Sequence, residues 1–262
     1  MHPFLDVDGP LGMAHRGFAP DGLENTMAAF AAAVALGVTH VETDVHSTSD
    51  GRLVAFHDPL LDRVSDGRGA ISSLTWAEVR RVRVGGREPV ALLEDVLDAW
   101  PDLRVNIDVK DWPAVRPLAG VLRRKGVLDR VCVASFDDRR TAGVRQALGP
   151  DLTARLATSP GRRGVTRWRV GAAVPGPVGA RTARRGTAGH VAVQVPVGAG
   201  PLKVVTRRSV DVAHSLGVQV HVWTVNEADD MRRLLDLGVD GLISDRADVL
   251  QRVLRERRTP AA

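Results

Sequence analysis

The run Thr26-Met27-Ala28-Ala29-Phe30-Ala31-Ala32-Ala33-Val34-Ala35-Leu36-Gly37, followed two residues later by His40-Val41-Glu42-Thr43-Asp44-Val45, decides the fold. A helix-forming stretch stops at a glycine, where a helix C-terminus favours a residue tolerant of left-handed dihedrals, and a β-branched strand follows at once. The same helix-Gly-strand rhythm returns at Gly126, Gly149, Gly217 and Gly238. Strands are expected at 11–14, 40–45, 104–109, 130–134, 152–156, 190–195, 218–223 and 241–244, with helices at 26–36, 115–125, 139–148, 207–216, 228–237 and 247–257. Repeated βα units imply an α/β fold with a parallel sheet, and about eight of them imply a single (β/α)8 TIM barrel. An open doubly wound sheet is the competing arrangement. Residues 46–100 exceed a simple connection and read as an excursion after the second strand. Residues 159–189, rich in Gly, Arg and Pro, show no clear period and read as an irregular connection holding one short helix.

The length of 262 residues suits one barrel domain spanning 1–262. A hydrophobic fraction of 44% and a charged fraction of 26% exclude disordered and fibrous classes. The net charge of +5 owes much to eight arginines between Arg155 and Arg185, which favour anionic partners without naming one. Nucleic acid is not expected as a partner, because Tyr is absent and aromatics make up 4% of the chain. A membrane surface and phosphate-bearing substrates remain open. Cys132 is the single cysteine, so no intrachain disulfide is possible, and its apolar surroundings suggest a buried inert thiol. Met1-His2-Pro3-Phe4 lacks a basic region leading into an apolar core, and no run of about 18 apolar residues occurs, so a cytoplasmic location is expected.

Strand ends and the loops after them line the active face of such a barrel, and polar residues gather at four of them. His15-Arg16-Gly17 follows the first strand. His15 can move a proton near neutral pH, Arg16 offers a planar fork of donors to a phosphate, and Gly17 allows close backbone approach. Glu42 and Asp44, two apart on one strand face, repel unless a cation sits between them, and their hard oxygens suit Mg²⁺, Ca²⁺ or Mn²⁺ better than zinc. A salt-bridged pair is the alternative. His46 shares that face and could join the site, although a hydrogen bond at the rim is the expected role. His57-Asp58 supplies a second histidine, with Asp58 available to orient its ring or to fix the turn. Asp108 and Lys110 close the third strand, Asp108 as a third carboxylate for the cation and Lys110 as a positive charge for a phosphate, or else as a buried ion pair. Trp223, ending the seventh strand, is a candidate apolar wall for the leaving group. Two proton-transfer groups beside a cation and a phosphate clamp are what phosphodiester cleavage requires.

In this order the motifs resemble the glycerophosphodiester phosphodiesterase family over nearly the whole chain. The resemblance rests on His15-Arg16-Gly17, Glu24-Asn25-Thr26, Glu42-Thr43-Asp44, Thr48-Ser49-Asp50-Gly51, His57-Asp58, Leu61-Asp62-Arg63, Leu74-Thr75 and Leu93-Glu94-Asp95-Val96-Leu97. Ser135-Phe136-Asp137, Trp223-Thr224-Val225-Asn226, Gly238-Val239-Asp240-Gly241 and Ser244-Asp245 complete the series. The resemblance implies metal-dependent hydrolysis of glycerophosphodiesters to glycerol phosphate and an alcohol. His15 and His57 would be acid and base, Glu42, Asp44 and Asp108 the ligands of one divalent cation, and Arg16 and Lys110 the phosphate clamp. The family usually has Glu where this chain has Asp108, one methylene shorter. Lysophospholipase D-like action on lysolipids and a catalytically silent phosphodiester-binding domain are the alternatives, and the lack of an obvious apolar surface segment argues against the lysolipid reading. The oligomeric state is not legible.

Overall fold

The computed structural model describes residues 1–200 and 202–258. The last four positions of the domain expected over 1–262 lie outside those residues. Eight parallel strands form the barrel wall: β1 (Leu11–His15), β2 (His40–Ser47), β4 (Arg104–Val109), β5 (Val131–Ala134), β6 (Ala157–Thr158), β7 (Ala192–Pro196), β8 (Gln219–Trp223) and β9 (Gly241–Ser244). A further strand, β3 (Leu53–Ala55), returns antiparallel along the upper part of β2. The strand order is β6-β5-β4-β2-β1-β9-β8-β7. Its two edges meet through the Val191 amide, which donates to the Thr158 carbonyl at 3.0 Å, and the Gln194 amide, which donates to the Ser159 hydroxyl at 3.2 Å. The sheet therefore closes as a barrel, because pairing the last edges satisfies backbone groups that an open sheet would leave to solvent.

Helices α1 (Met27–Ala35), α2 (Leu93–Ala99), α3 (Val115–Lys125), α4 (Asp138–Leu148), α5 (Arg162–Ala173), α6 (Gly176–Thr187), α7 (Arg207–Ser215), α8 (Ala228–Asp236) and α9 (Ala247–Arg258) surround it. Thr26 caps α1 by accepting from the Ala29 amide, and Gly37, Gly126, Gly217 and Gly238 stand at φ of 79°, 66°, 71° and 89° behind their helices. Outward strand residues and helix faces make two large apolar clusters, one around Phe30, Leu97, Ile107 and Leu118, the other around Trp168, Val220, Leu234 and Leu250. The excursion after β2 packs a smaller core of its own, with Val54, Phe56, Leu61 and Ile71 at its centre, before α2 rejoins the barrel.

Two expectations are corrected. The fifth strand does not run over 152–156: Pro150–Thr153 is a helical turn, and the strand is the two-residue Ala157–Thr158. Pro150 at the first helical position directs that segment into a turn, and a short apolar run does not itself distinguish strand from helix. Residues 159–189 are not an irregular connection but mainly two twelve-residue helices, α5 and α6, packed on each other. Their glycines lie seven apart, Gly164 and Gly171 on α5 and Gly179 and Gly186 on α6, so each helix turns a bare backbone to its partner. A Cβ on Gly171 would stand 2.3 Å from the Ala183 amide nitrogen, and one on Gly186 would stand 2.4 Å from the Gly164 carbonyl. Glycine is normally unfavourable in a helix; here it permits the contact. Gly171→Ala should therefore destabilise the protein by roughly 1–3 kcal/mol through overpacking. Gly120→Ala, on α3, meets only the flexible end of Arg124 and should stabilise by up to about 1 kcal/mol. Thermal midpoints moving the same way for both variants would contradict this packing.

At the N-terminal end the 3-10 turn Pro3–Leu5 seats Phe4 and Leu5 against the interior residues Leu11, Met13, Cys132, Ala157 and Ile243. The Phe4 carbonyl accepts from His40 Nε2 at 2.9 Å. Burial lowers the His40 pKa to about 4 and, with His40 nearby, that of His221 to about 3. Both are neutral when folded, whereas the unfolded chain takes up their protons below about pH 6.5. Stability is thus fully present above pH 6.5 and falls as the pH drops toward 4, by at most about 3 kcal/mol for each histidine. Urea midpoints at pH 7 and 4.5, compared with those of His221→Leu, should show a smaller pH dependence in the variant; equal slopes would sink the assignment.

Candidate active site

The strand register stacks the polar residues at the C-terminal mouth. His15 is level with Glu42 and Glu42 with Asn106, while Asp44 is level with Asp108 one pleat higher. Alternation turns Glu42, Asp44, Asn106 and Asp108 inward, where they line a cleft of about 840 Å³ together with His15, Arg16, His57, Lys110 and Trp223. All eight sequence-derived site residues meet there. The floor includes the reciprocal amide pair of Asn106 and Gln194, with the Gln194 side-chain nitrogen donating to Asn106 Oδ1 at 2.9 Å.

Each histidine is held at Nδ1 by a carboxylate. His15 donates to Asp245 Oδ1 at 2.6 Å, and Asn226 Nδ2 donates to Asp245 Oδ2 at 2.9 Å. His57 donates to Asp58 Oδ1 at 2.6 Å, and Arg63 Nε donates to Asp58 Oδ2 at 2.5 Å, which holds the Asp58 pKa near 2. This contact fixes the tautomer and points Nε2 of each ring away from its carboxylate. His15 Nε2 lies 3.8 Å from Glu42 Oε2. Burial opposes the His15 imidazolium, but Glu42 and the Asp245 hydrogen bond outweigh it and raise the pKa. His46 is a rim residue as expected: its Nδ1 lies 2.8 Å from an Asp111 carboxylate oxygen and its Nε2 3.1 Å from the His57 carbonyl, which ties it to the second histidine's loop.

The loops of the two histidines are joined by charge. Glu24 accepts from Arg16 at 2.9 Å and from Arg63 at 2.7 Å, so a chain runs Arg16, Glu24, Arg63, Asp58, His57. Arg16 and Asn25 stand at φ of 54° and 58°, the positive-φ non-glycine residues among those described. They are tied by the Asn25 amide donating to the Arg16 carbonyl at 2.9 Å. Backbone strain of this kind persists only where surrounding contacts impose it, and here it presents Arg16 to the cleft. Gly17 is obligatory beside it: φ is 80°, and a Cβ would stand 2.7 Å from the Ala29 backbone.

The carboxylates differ in their partners. Asp44 accepts from Lys110 Nζ at 2.7 Å and from Asn25 at 3.0 Å, with Arg16 Nε at 3.2 Å, and these outweigh burial to lower its pKa. Lys110 also donates to Asp108 Oδ2 at 2.7 Å, and burial nevertheless raises the Asp108 pKa. Asp108 Oδ1 is buried with no partner. Burial, then the nearby Asp44, push Glu42 up to about 8. Lys110 thus engages carboxylates on both sides, as the buried ion-pair alternative foresaw. Among the described residues no ready cage of three or more acidic, His or Cys side chains is formed.

The sequence reading did not assign roles to Asp245, Asn226, Asn25, Glu24 and Arg63, although all five lie within its quoted motifs. Asp245 lies 230 positions from His15, and only the pairing of the last strand β9 with the first strand β1 brings them together. Trp223 forms an apolar wall, packed edge-on against Phe136 with ring centroids 5.6 Å apart. That wall continues along α5 through Val165, Val170, Ala173 and Val174, an apolar segment invisible when 159–189 is read as a loop.

The Glycerophosphoryl diester phosphodiesterase family model matches residues 15–249. Over 256 residues the chain is 41% identical to the probable glycerophosphodiester phosphodiesterase 2 of Mycobacterium tuberculosis, covering 97% of this chain and 94% of that protein. The fold is similar to a solved structure of a putative glycerophosphoryl diester phosphodiesterase from Silicibacter pomeroyi, with TM-score 0.78, 23% identity and 98% of both chains covered. It is also similar to an Oleispira antarctica phosphodiesterase solved with the product sn-glycerol-3-phosphate, with TM-score 0.74, 20% identity and coverage of 96% and 98%. The chain belongs to the glycerophosphoryl diester phosphodiesterase family, and its class is that of a phosphoric diester hydrolase.

Proposed function

We propose that this enzyme hydrolyses glycerophosphodiesters to glycerol phosphate and an alcohol, with His15 and His57 as the proton-transfer pair. One observation carries the reading: two histidines, each held at Nδ1 by a carboxylate at 2.6 Å, face one cleft with Arg16, Lys110 and three buried carboxylates. One ring takes the proton of the attacking hydroxyl, from water or the neighbouring glycerol oxygen, and the other returns one to the leaving oxygen. Asp245 and Asp58 keep the rings aligned, and Arg16, positioned by its strained turn, binds the phosphoryl oxygens. Trp223 and Phe136 exclude water from the alcohol side.

The residues fit one divalent cation. All donors are hard oxygens, Asp108 Oδ1 has no partner, and Glu42 is buried at a cost that a positive charge would remove. Glu42, Asp44 and Asp108 would hold it, with Asp44 and Asp108 shared with Lys110. When bound it supplies neutralisation of the developing phosphoryl charge.

The apolar wall along α5 favours a second reading, in which the substrate is a lysophospholipid and the wall receives its acyl chain. A panel of glycerophosphodiesters and lysolipids of increasing chain length, assayed with Mg²⁺, Ca²⁺, Mn²⁺ and excess chelator, tests both. Turnover of chain-free diesters that disappears with chelator is the expected result. Undiminished turnover by protein verified as metal-free would refute the cation's role, and rates rising with chain length would favour the lysolipid. An inactive parent that gains activity as Asp108→Glu would favour a silent binding domain.

A further inference from the structure

Between Leu152 and Val210 there is no Asp or Glu, while Lys and Arg number eleven. Most of this charge stands on α5 and α6. Among the described residues none of the seven arginines on these two helices closes an ion pair, unlike Arg155 with Asp129 and Arg207 with Asp211 on either side. Arg162 lies over the Phe136 ring and Arg169 donates to the Lys203 carbonyl, but Arg163, Arg167, Arg181, Arg184 and Arg185 are exposed to solvent. The glycine-lined faces that join the helices turn these arginines outward.

The tip of the pair is apolar. Val170, Val174 and Val178 are 51%, 41% and 71% exposed, and the stretch Val174-Pro175-Gly176-Pro177-Val178, which joins α5 to the first turn of α6, has no charged residue. Exposed valines beside unpaired arginines make a surface with a part to immerse and a part to bind anionic head groups. α5 also forms the wall of the catalytic cleft through Val165 and Arg169, and Val170 and Val174 belong both to that wall and to the tip, so whatever this surface rests on lies at the cleft mouth. The pair itself offers bases no exposed aromatic to stack on, since Trp168, its one aromatic, is fully buried, and the ring of the neighbouring Phe136, 43% exposed, is already covered by Arg162 and Trp223. No helix among the described residues is long and apolar enough to cross a membrane, so any lipid contact of this pair is made at the surface.

We infer that the α5–α6 pair is a docking surface for an anionic phospholipid bilayer, which it approaches with its valine tip and flanking arginines. The inference does not rest on the proposed reaction, although Val170 and Val174 are shared with the cleft wall, and its test needs no turnover. Flotation with vesicles of phosphatidylcholine containing 40% phosphatidylglycerol, a composition chosen for the assay at about 0.1 M salt, should show binding absent from pure phosphatidylcholine. At about 1 kcal/mol for each basic residue near the surface, the triple variant Arg181→Ala, Arg184→Ala, Arg185→Ala should bind about 10²-fold more weakly. Val178→Asp should also weaken binding. None of these four residues lines the cleft, so circular dichroism and turnover of a soluble glycerophosphodiester should be unchanged. Equal binding to neutral vesicles, or full binding by the triple variant, would overturn the inference. So would displacement from vesicles by single-stranded DNA together with an unaffected Val178→Asp, which would mark a general polyanion surface.

Discussion

His15→Ala and His57→Ala should each lower turnover by roughly 10²–10⁴-fold, the scale on which a positioned proton-transfer group contributes. Neither should unfold the protein, since both rings stand at the cleft mouth and make their principal contacts with carboxylates that solvent can also serve. The partners sharpen the test. Asp245→Asn leaves the ring in place but removes the charge that holds its tautomer, so the loss should be smaller than for His15→Ala and the pH profile should shift. The His15 pKa is raised in the parent with Glu42 and Asp245 as the causes, so removing the Asp245 charge should move the corresponding limb of the profile to lower pH. A histidine variant with near-normal kcat and normal circular dichroism would remove that histidine from the chemistry.

Glu42→Gln is expected to separate function from stability. The buried carboxyl resists ionisation because of burial and then Asp44, so folding must either bury its charge or protonate it; an isosteric amide removes that cost and the thermal midpoint should hold or rise. Divalent-cation affinity and turnover should fall together, by about 10²-fold or more, because charge count is what tunes such oxygen sites over orders of magnitude. Asp108→Asn should act in the same direction, whereas Asp108→Glu keeps the charge and should retain the cation, altering rate or metal preference by a modest factor. The longer side chain should disturb Mg²⁺, which demands near-octahedral geometry, more than Ca²⁺, which accepts variable ligand number. Calorimetry showing unchanged metal binding in Glu42→Gln, or parental behaviour in Asp108→Asn, would exclude that residue from the cation site.

What the sequence alone determined is what local chemistry and period can carry. Thr26 and Gly37 bracket a helix whether or not anything packs on it, and the two-residue period of Glu42 and Asp44 puts both on one face of any strand. Asp58 follows His57 in the chain, so its orienting role was open to inference, and the barrel followed from the recurrence of such units. Tertiary structure decided everything that depends on partners remote in sequence. Asp245 reaches His15 only because β9 closes beside β1, and Glu24 joins Arg16 to Arg63 only across folded loops. The α5–α6 pair was hidden for the opposite reason: glycine opposes a helix locally, and its favourable effect appears only when two backbones meet. With that pair misread as a loop, the apolar wall of the cleft and the outward arginines could not be placed, because a helical face exists only once the helix does.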